Sequence, residues 1–572
     1  MHVKFLRVNV SNKESRFQTP GDDYKYAGGR SLIAKLLNEE VNPQCDPLGL
    51  ENKLIVCPGL LGGTTAPNSG RLSVGGKSPL TNTIKEANAG GTAAQAMIKL
   101  GLKAIVIEGD GSGAEWSILK VSKDQAELLP ADKYLGLNNY ALVDQLKFDF
   151  NDQISVISIG GAGEKKYLNS TLQITDTEGR PSRAAARGGL GAVMGSKKIK
   201  AIVLDTTNAS NKAEYADQKA FSAAAKQYVK GIMENPISGK AMPALGTAVL
   251  MNNVNAMGAL PINNFRDGAH EDAEKISGEN LAEMQQGRGG SGNHRCLNGC
   301  VIGCSNVIHD AEGNYLTAGF EYETIALVGA NCGIFDLDLI AKVDRLCDDF
   351  GLDTMETGCT LAVAMEAGKL EFGDGEGALR LVKEMIDETD FGRIMGQGTE
   401  ITGKHLGVTR IPTVKGQSLA AYDPRSLKGT GVTYATSPMG ADHTAGNTLG
   451  NPTVDPYSKD GQVDLSTNLQ MGMATFDTLG ICIFAGFCTD KPENIQHLLT
   501  MMSAKFGGQW DPGRLFGLGV ESLSLEKAFN KKAGFTSKDD VLPDFFYQEK
   551  LSPRHTVFDI DQEELSKAIK FD

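Results

Sequence analysis

His294-Arg-Cys-Leu-Asn-Gly-Cys-Val-Ile-Gly-Cys-Ser-Asn306 sets Cys296, Cys300 and Cys304 at equal spacing, with three residues in each interval. Thiolates this close suit one soft metal centre, and an iron–sulfur cluster is held by such thiolates. A cubane cluster takes a fourth ligand, which the rest of the chain must supply. Cysteines at i, i+4 and i+8 would also line one face of a buried helix as small apolar residues. Gly299 and Gly303 speak against that helix, because each precedes a cysteine and weakens helical structure. Zinc is the other contender, with His294 as a fourth ligand, but the common zinc spacings use two paired ligand sets. The local sequence favours the cluster.

At 572 residues the chain exceeds one hydrophobic core, so about two to four domains are expected. Charged residues at 22% and hydrophobic ones at 41% are ordinary for a soluble globular protein. A formal net charge of −13 argues against nucleic-acid and anionic-membrane partners, because there is no basic footprint to grip them. The 68 glycines predict many tight turns or close backbone approach to a ligand. The N-terminal stretch lacks an apolar h-region, and the longest apolar run, 479–488, is too short to span a bilayer. No signal peptide and no membrane insertion are therefore expected. The ten cysteines read as reduced thiols or metal ligands, and a cytoplasmic location is expected.

Residues 1–208 read as strands and glycine turns. Alternating or apolar runs at 3–10, 54–57, 104–108, 116–121 and 154–160 predict strands. Between them lie Gly28-Gly-Arg30, Gly59-Leu-Leu-Gly-Gly-Thr-Thr-Ala-Pro67, Ser69-Gly-Arg71, Asn88-Ala-Gly-Gly91 and the arginine–glycine stretch 183–197. Glycine exposes N–H donors and guanidinium forks onto oxyanions. Any one of these reads best as a β-turn with a solvated arginine; five in one region favour a large anionic cofactor. None has the phosphate-loop form, and Gly160-Gly-Ala-Gly163 lacks the last glycine of a dinucleotide fingerprint.

Beyond about 208 the texture turns helical. Helices are predicted over 213–233, around Leu337, Ile340, Val343 and Leu346, over 379–386 and over 495–502. Gly351 should stop the second of these, and Asp353 with Glu356 reads as a capping box opening the next. A further boundary is placed near 408. Two distant segments share one pattern, Asp348-Asp-Phe-Gly-Leu-Asp353 and Asp477-Thr-Leu-Gly-Ile-Cys482. Locally these read as acids and a glycine at helix ends.

Gly28-Gly-Arg30, the 62–71 stretch, Lys77-Ser-Pro-Leu-Thr81 and Arg187-Gly-Gly-Leu-Gly-Ala-Val-Met-Gly-Ser-Lys197 together resemble the aldehyde:ferredoxin oxidoreductase family. The likeness runs nearly the whole chain, down to Asp539-Asp-Val-Leu-Pro543. It implies an α+β chain with a β-rich cofactor-binding base domain, 1–208, followed by two mainly helical domains, 209–408 and 409–572. It implies tungsten or molybdenum bound by two pyranopterins (molybdopterins), with Mg2+ bridging their phosphates. Arg71, Asn88, Gly90, Arg183 and Ala184 would contact the pterins, with Arg187 and Gly188 beside them. The repeated aspartate pattern is carried twice in that family for two pterins, which assigns Asp348, Asp353 and Asp477. The same likeness makes Cys482 the fourth ligand of a [4Fe–4S] cluster, ahead of its neighbour Cys488. Cys45, Cys57, Cys332, Cys347 and Cys359 have no partner pattern and read as buried small residues. The family more often spaces its first two cluster cysteines by two residues, where this chain has three.

Glu321-Tyr-Glu323-Thr and Ala441-Asp-His443-Thr-Ala-Gly resemble the family's active-site segments. That implies Glu323 as general base and His443 as the group orienting or polarising substrate, with Glu321 able to exchange roles with Glu323. Otherwise the two glutamates read as solvated carboxylates and His443 as a helix-start residue after an Asp cap. The implied reaction is aldehyde to carboxylic acid, with electrons leaving singly through the cluster to a ferredoxin-like acceptor or an iron–sulfur partner subunit. Competing readings are reduction of aromatic acyl-CoA rings with the same cofactors, and a non-catalytic iron–sulfur electron-transfer subunit. Some members dimerise through an iron held by an E-x-x-H motif; no Glu-x-x-His occurs in the matching region, so that bridge is not expected.

Overall fold

The computed structural model describes residues 3–571. Its first part is two six-stranded sheets face to face. In spatial order the first sheet runs Glu14–Gln18, Lys4–Asn9, Leu102–Glu108, Leu54–Pro58, Leu72–Lys77 and Ile84–Ala89. The second runs Arg183–Ala185, Leu172–Ile174, Ser155–Ser158, Ile199–Leu204, Ser117–Val121 and Ala126–Pro130. Each sheet has a single parallel pair, Lys4–Asn9 with Leu102–Glu108 and Ile199–Leu204 with Ser117–Val121.

Five of the twelve strands lie where the apolar runs predict them, the other seven fall outside those runs, and period-two alternation sorts the side chains into layers. Leu6, Val8, Ile105 and Ile107 meet Leu119, Val121, Ile157 and Ile202 between the sheets. Their neighbours Phe5, Ile55, Ala104 and Val106 face outward onto Leu32, Ile33, Leu36 and Leu37 of the Gly29–Glu40 helix. Ile118, Val156, Ala201 and Val203 likewise face Leu142, Val143 and Leu146 of the Asn139–Asp149 helix. Each such aliphatic side chain stabilises the fold by about 1.5–3 kcal/mol. Cys45, Cys57, Cys332, Cys347 and Cys359 are all buried, as the sequence suggests.

The rest is mainly helical. The helix predicted from 213 begins later, as Gln218–Glu234, because Asp217 caps it by accepting from the Ala220 N–H. The remaining predicted helices are Leu337–Phe350, Gly375–Ile386 and Pro492–Phe506. Leu337–Phe350 ends at Gly351, whose φ of 86° is left-handed, as expected of a C-cap. The capping box at Asp353 is only half made. Asp353 accepts from Met355 N, but Glu356 accepts from Thr399 N and Ser418 N instead. A wholly buried carboxylate gains more from these charge-assisted bonds than from one N-cap amide. Among the described residues no single helix is long and apolar enough to cross a membrane.

Both aspartate segments turn out to be the same device. Asp348 lies in the last turn of Leu337–Phe350, and Asp477 in the last turn of Gln462–Leu479, which ends at left-handed Gly480. The carbonyls orphaned at these ends are capped by the β-rich part. Leu60 N, Leu61 N and Arg71 N donate to Thr478, Leu479 and Gly480; Asn139 Nδ2 and Thr171 N donate to Asp348 and Gly351. At the first of these contacts a Cβ on Gly59 would lie 2.2 Å from Gly480 N, so no side chain fits there. The two helix ends are thereby docked on one base.

Candidate cofactor and active site

Residues 295–304 form turns, not a helix, and Gly299 and Gly303 have φ of 84° and 70°. The reading of the three cysteines as one helical face is thus excluded. The loop is tied to the fourth cysteine by Asn68, itself in the left-handed region at φ 56°. Asn68 N donates to Gly299 O at 3.0 Å, and Asn68 Oδ1 accepts from Val301 N at 3.1 Å. Its carbonyl accepts from Cys482 N at 2.9 Å. Nothing in the sequence reading singled out Asn68; its place beside Ser69-Gly-Arg71 was the available signal.

Cys300, Cys304 and Cys482 are buried in one apolar cluster with Leu60, Leu61, Phe476 and Ile481, and half-buried Cys296 packs against it. Among the described residues, the trio whose ligand atoms all lie within 4.8 Å is Asp176, Glu178 and His294, with no cysteine in it. Tetrahedral zinc would hold its sulfurs about 3.8 Å apart, given a Zn–S bond of about 2.3 Å. Cys296 and Cys300 are in hydrogen-bond contact, but among the described residues no three of the thiols come within 4.8 Å of one another. Amides already point at sulfur: Gly303 N and Asn68 Nδ2 lie 3.3 and 3.5 Å from Cys300 Sγ. The Cys296 thiol is held low by its hydrogen bond with Cys300, helped by the Arg71 and Arg183 charges, while burial pushes Cys304 and Cys482 up.

Arg71 is half-buried and lays Nε and Nη2 on the Asn88 side chain and carbonyl. Its charge acts on Cys482, Cys296 and Asp477, so it sits between the cysteines and the second aspartate segment. Gly90 approaches from the same side; a Cβ there would lie 3.2 Å from Cys296 Sγ. Asp477 accepts from Arg30 Nη1 at 3.3 Å, and Arg30 forks onto Glu526 at 2.7 and 2.8 Å. On the opposite side Arg187 binds Asp353 at 3.2 Å and Ser418 O at 2.8 Å, beneath the Gly188 turn at φ 92°. Ala184 pairs with Gln173 on the neighbouring strand, next to Arg183. Arg183 donates Nη1 to Ser305 Oγ at 2.8 Å but leaves Nε buried without a partner.

An acid near a helix C-terminus opposes the macrodipole, and these two acids are buried as well. Burial lifts Asp348 well above the usual carboxylate range. Burial also lifts Asp477 to about 6 and neighbouring Glu86 to about 8, the Asp477 charge adding to the Glu86 rise. A carboxyl raised in the folded state binds its proton more tightly there than in the unfolded chain. The Glu86 contribution to stability therefore falls as pH climbs from about 4.5 to about 8. Glu86→Gln, uncharged throughout, is expected to gain in Tm over the parent as pH rises across that window and to level off above it. Paired melts at pH 5 and pH 8 check this; an unchanged difference would refute burial as the cause.

Glu323 and His443 are brought together, with Oε1 and Nε2 3.3 Å apart. Glu323 Oε2 accepts from Ala421 N at 2.8 Å, which fixes the carboxylate. Glu321 goes elsewhere: its Oε2 accepts from Thr247 Oγ1 at 2.7 Å, and its charge acts on Cys304. The pair is therefore made by Glu323. His443 lies in a turn rather than at a helix start, with Asp442 accepting from Thr444 N at 2.9 Å. Asp442 is held well below the usual range, against its burial, by Lys85, His443 and Arg187. Glu323 Oε1, His443 Nδ1 and Arg183 Nε are buried polar atoms that make no hydrogen bond, although Glu323 Oε1 has His443 Nε2 at ion-pair distance. Unmade bonds of this kind each cost about 1–3 kcal/mol and mark where a polar ligand would be welcome.

A family model described as "Aldehyde ferredoxin oxidoreductase, N-terminal domain" matches residues 5–206, and one described as "Aldehyde ferredoxin oxidoreductase, domains 2 & 3" matches 223–570. With the β-rich base and the helix ends docked on it, these define an oxidoreductase. The chain belongs to the aldehyde ferredoxin oxidoreductase family. It is 34% identical over 572 residues to the tungsten-containing aldehyde ferredoxin oxidoreductase of Thermococcus kodakarensis, covering 96% of this chain and 91% of that one. It is 26% identical to the WOR-like subunit of an aliphatic sulfonate oxidoreductase from Pyrococcus furiosus, over 77% of this chain and 74% of that one. The active-site complex BamBC of benzoyl coenzyme A reductase shares the fold, with a TM-score of 0.81 at 20% identity, over 98% of this chain and 92% of that one.

Proposed function

We propose that this oxidoreductase converts aldehydes to carboxylic acids at a tungsten or molybdenum bis-pyranopterin centre and passes electrons through a [4Fe–4S] cluster to a ferredoxin-like acceptor. The observation that carries the reading is the Glu323–His443 pair, a carboxylate and an imidazole 3.3 Å apart with Glu323 Oε1 and His443 Nδ1 making no hydrogen bond. Cys296, Cys300, Cys304 and Cys482 would hold the cluster. Arg71, Asn88, Gly90, Arg183, Ala184, Arg187, Gly188, Asp348, Asp353 and Asp477 would hold the pterins, with Mg2+ between their phosphates. When bound, the metal supplies the two-electron oxidation and the cluster moves electrons singly.

The balance is R-CHO + H2O giving R-COOH, two protons and two electrons. Glu323 Oε1 takes a proton from the attacking water, while Ala421 N keeps the carboxylate aimed. His443 Nε2, facing the same oxygen, orients the carbonyl and passes the second proton outward. Both side chains are half-buried, which strengthens the contact between them relative to open water.

Metal analysis of anaerobically purified protein tests the reading. About one W or Mo with about four Fe per chain is expected from four cysteine ligands. Iron without W or Mo would favour the electron-carrier reading, and zinc alone would sink both. Assays with aldehydes, an aliphatic sulfonate and an aromatic acyl-CoA then separate the reactions named for the relatives; turnover of only the last two would overturn the aldehyde assignment.

A further inference from the structure

A hydrogen-bonded chain beside the cysteine loop runs from Arg183 through His294 to Glu178, and of these only Arg183 has a part in the reading above. Asp176, Glu178 and His294 bring three ligand atoms together within 4.8 Å, yet they do not make a cation site. Arg180 donates Nε to Asp176 at 3.0 Å and Nη2 to Glu178 at 2.7 Å, and Arg183 Nη2 lies 3.1 Å from His294 Nδ1. A metal ion would sit against two guanidinium groups. His294 Nε2 lies 2.7 Å from Glu178 Oε2. Guanidinium can only donate, so His294 Nδ1 accepts and the ring proton sits on Nε2, facing Glu178.

His294 is also the last residue of strand Ser291–His294, and it pairs across the ladder with Ser305. That rung closes the loop carrying all three clustered cysteines. Arg183 Nη1 donates to Ser305 Oγ at 2.8 Å, so one guanidinium grips both residues of the rung. Gly319 makes the space for it: a Cβ there would lie 2.7 Å from Nη1. The Arg183 charge acts on Cys296 and Cys304 on one side and on Glu321, Asp344 and Asp348 on the other.

We propose that His294 is a positioning residue that pins the Arg183 guanidinium against the neck of the cysteine loop, where the cation stabilises the reduced cluster. The proposal rests on the reading that the cysteines hold an iron–sulfur cluster. Reduction adds negative charge to the cluster, and a fixed cation in a low-dielectric interior favours that state. Without the imidazole, Arg183 keeps only its Ser305 anchor and swings toward the Asp344 and Asp348 carboxylates.

An EPR-monitored redox titration of the holoenzyme tests this, with iron measured in each sample. His294→Ala is expected to lower the reduced-to-oxidised ratio at fixed potential about tenfold, equal to about 59 mV for a one-electron couple. His294→Asn should restore it, because its amide oxygen stands where Nδ1 stood and accepts from Arg183. Arg183→Met should lower the ratio at least as far, with His294→Ala adding nothing on top. Iron retained with an unchanged potential in His294→Ala would overturn the proposal, as would a full additive effect in the Arg183→Met background. Iron lost from both His294 variants would make the residue a plain strut of the loop, which also overturns it. Iron lost from the alanine variant alone, with wild-type potential in the asparagine variant, supports it. A parent protein without iron would instead remove the cluster reading, and this proposal with it.

Discussion

Cys482→Ser is expected to cut bound iron from about four atoms per chain to below about one, with reduction of a one-electron acceptor lost alongside. The other three thiols share a single loop, but Cys482 comes from the end of a different helix and is hydrogen-bonded to that loop through Asn68. A serine oxygen is a harder and more basic ligand than a thiolate sulfur, and at this buried position it would stay protonated. Cys488→Ser is the matched control. Cys488 lies in the same apolar cluster, but its thiol donates to the Ala485 carbonyl at 3.4 Å, a bond that serine can keep. Iron retained in the first variant and lost in the second would reverse the ligand assignment. Equal loss in both would mean that the segment, rather than the sulfur, is what the cluster needs.

The local grammar of the chain was readable because it repeats over short distances. Alternating or apolar runs placed five of the twelve strands, and a glycine after an apolar helix marked its end at Gly351. The even cysteine spacing and the doubled aspartate pattern were likewise visible in a few residues each. What escaped the sequence are single bonds between remote residues, which leave no period behind. Asn68 couples the cysteine loop to Cys482, Arg30 forks onto Glu526, and His294 and Ser305 share Arg183. Glu356 shows how tertiary contacts override a local motif: its spacing suits a cap, but Arg187, Thr399 and Ser418 surround it. Glu321 and Glu323 are indistinguishable as letters. Only the fold shows that one accepts from Thr247 and the other from Ala421, beside His443.

That distinction carries the second large effect. Glu323→Gln is expected to lower kcat by about 10²–10⁴-fold, the usual worth of a positioned general base, or about 3–5 kcal/mol of barrier. Glutamine is nearly isosteric, and its amide oxygen can still accept from Ala421 N, so the loop carrying Ala421 should stay in place. The amide cannot take a proton from water, which isolates the chemical step from the packing. KM should change far less than kcat, and iron and tungsten or molybdenum contents should match the parent. Glu321→Gln can likewise keep accepting from Thr247 and loses only the charge that acts on Cys304, so it should leave kcat within about tenfold, since its side chain faces the cysteine loop rather than His443. If Glu321→Gln proved the more damaging of the two with metals intact, proton removal would run on the cluster side of the site and the assignment of base would pass to Glu321. A fall in kcat shared equally by both variants would instead mean that neither is the base and that each acts by shaping the buried charge around His443.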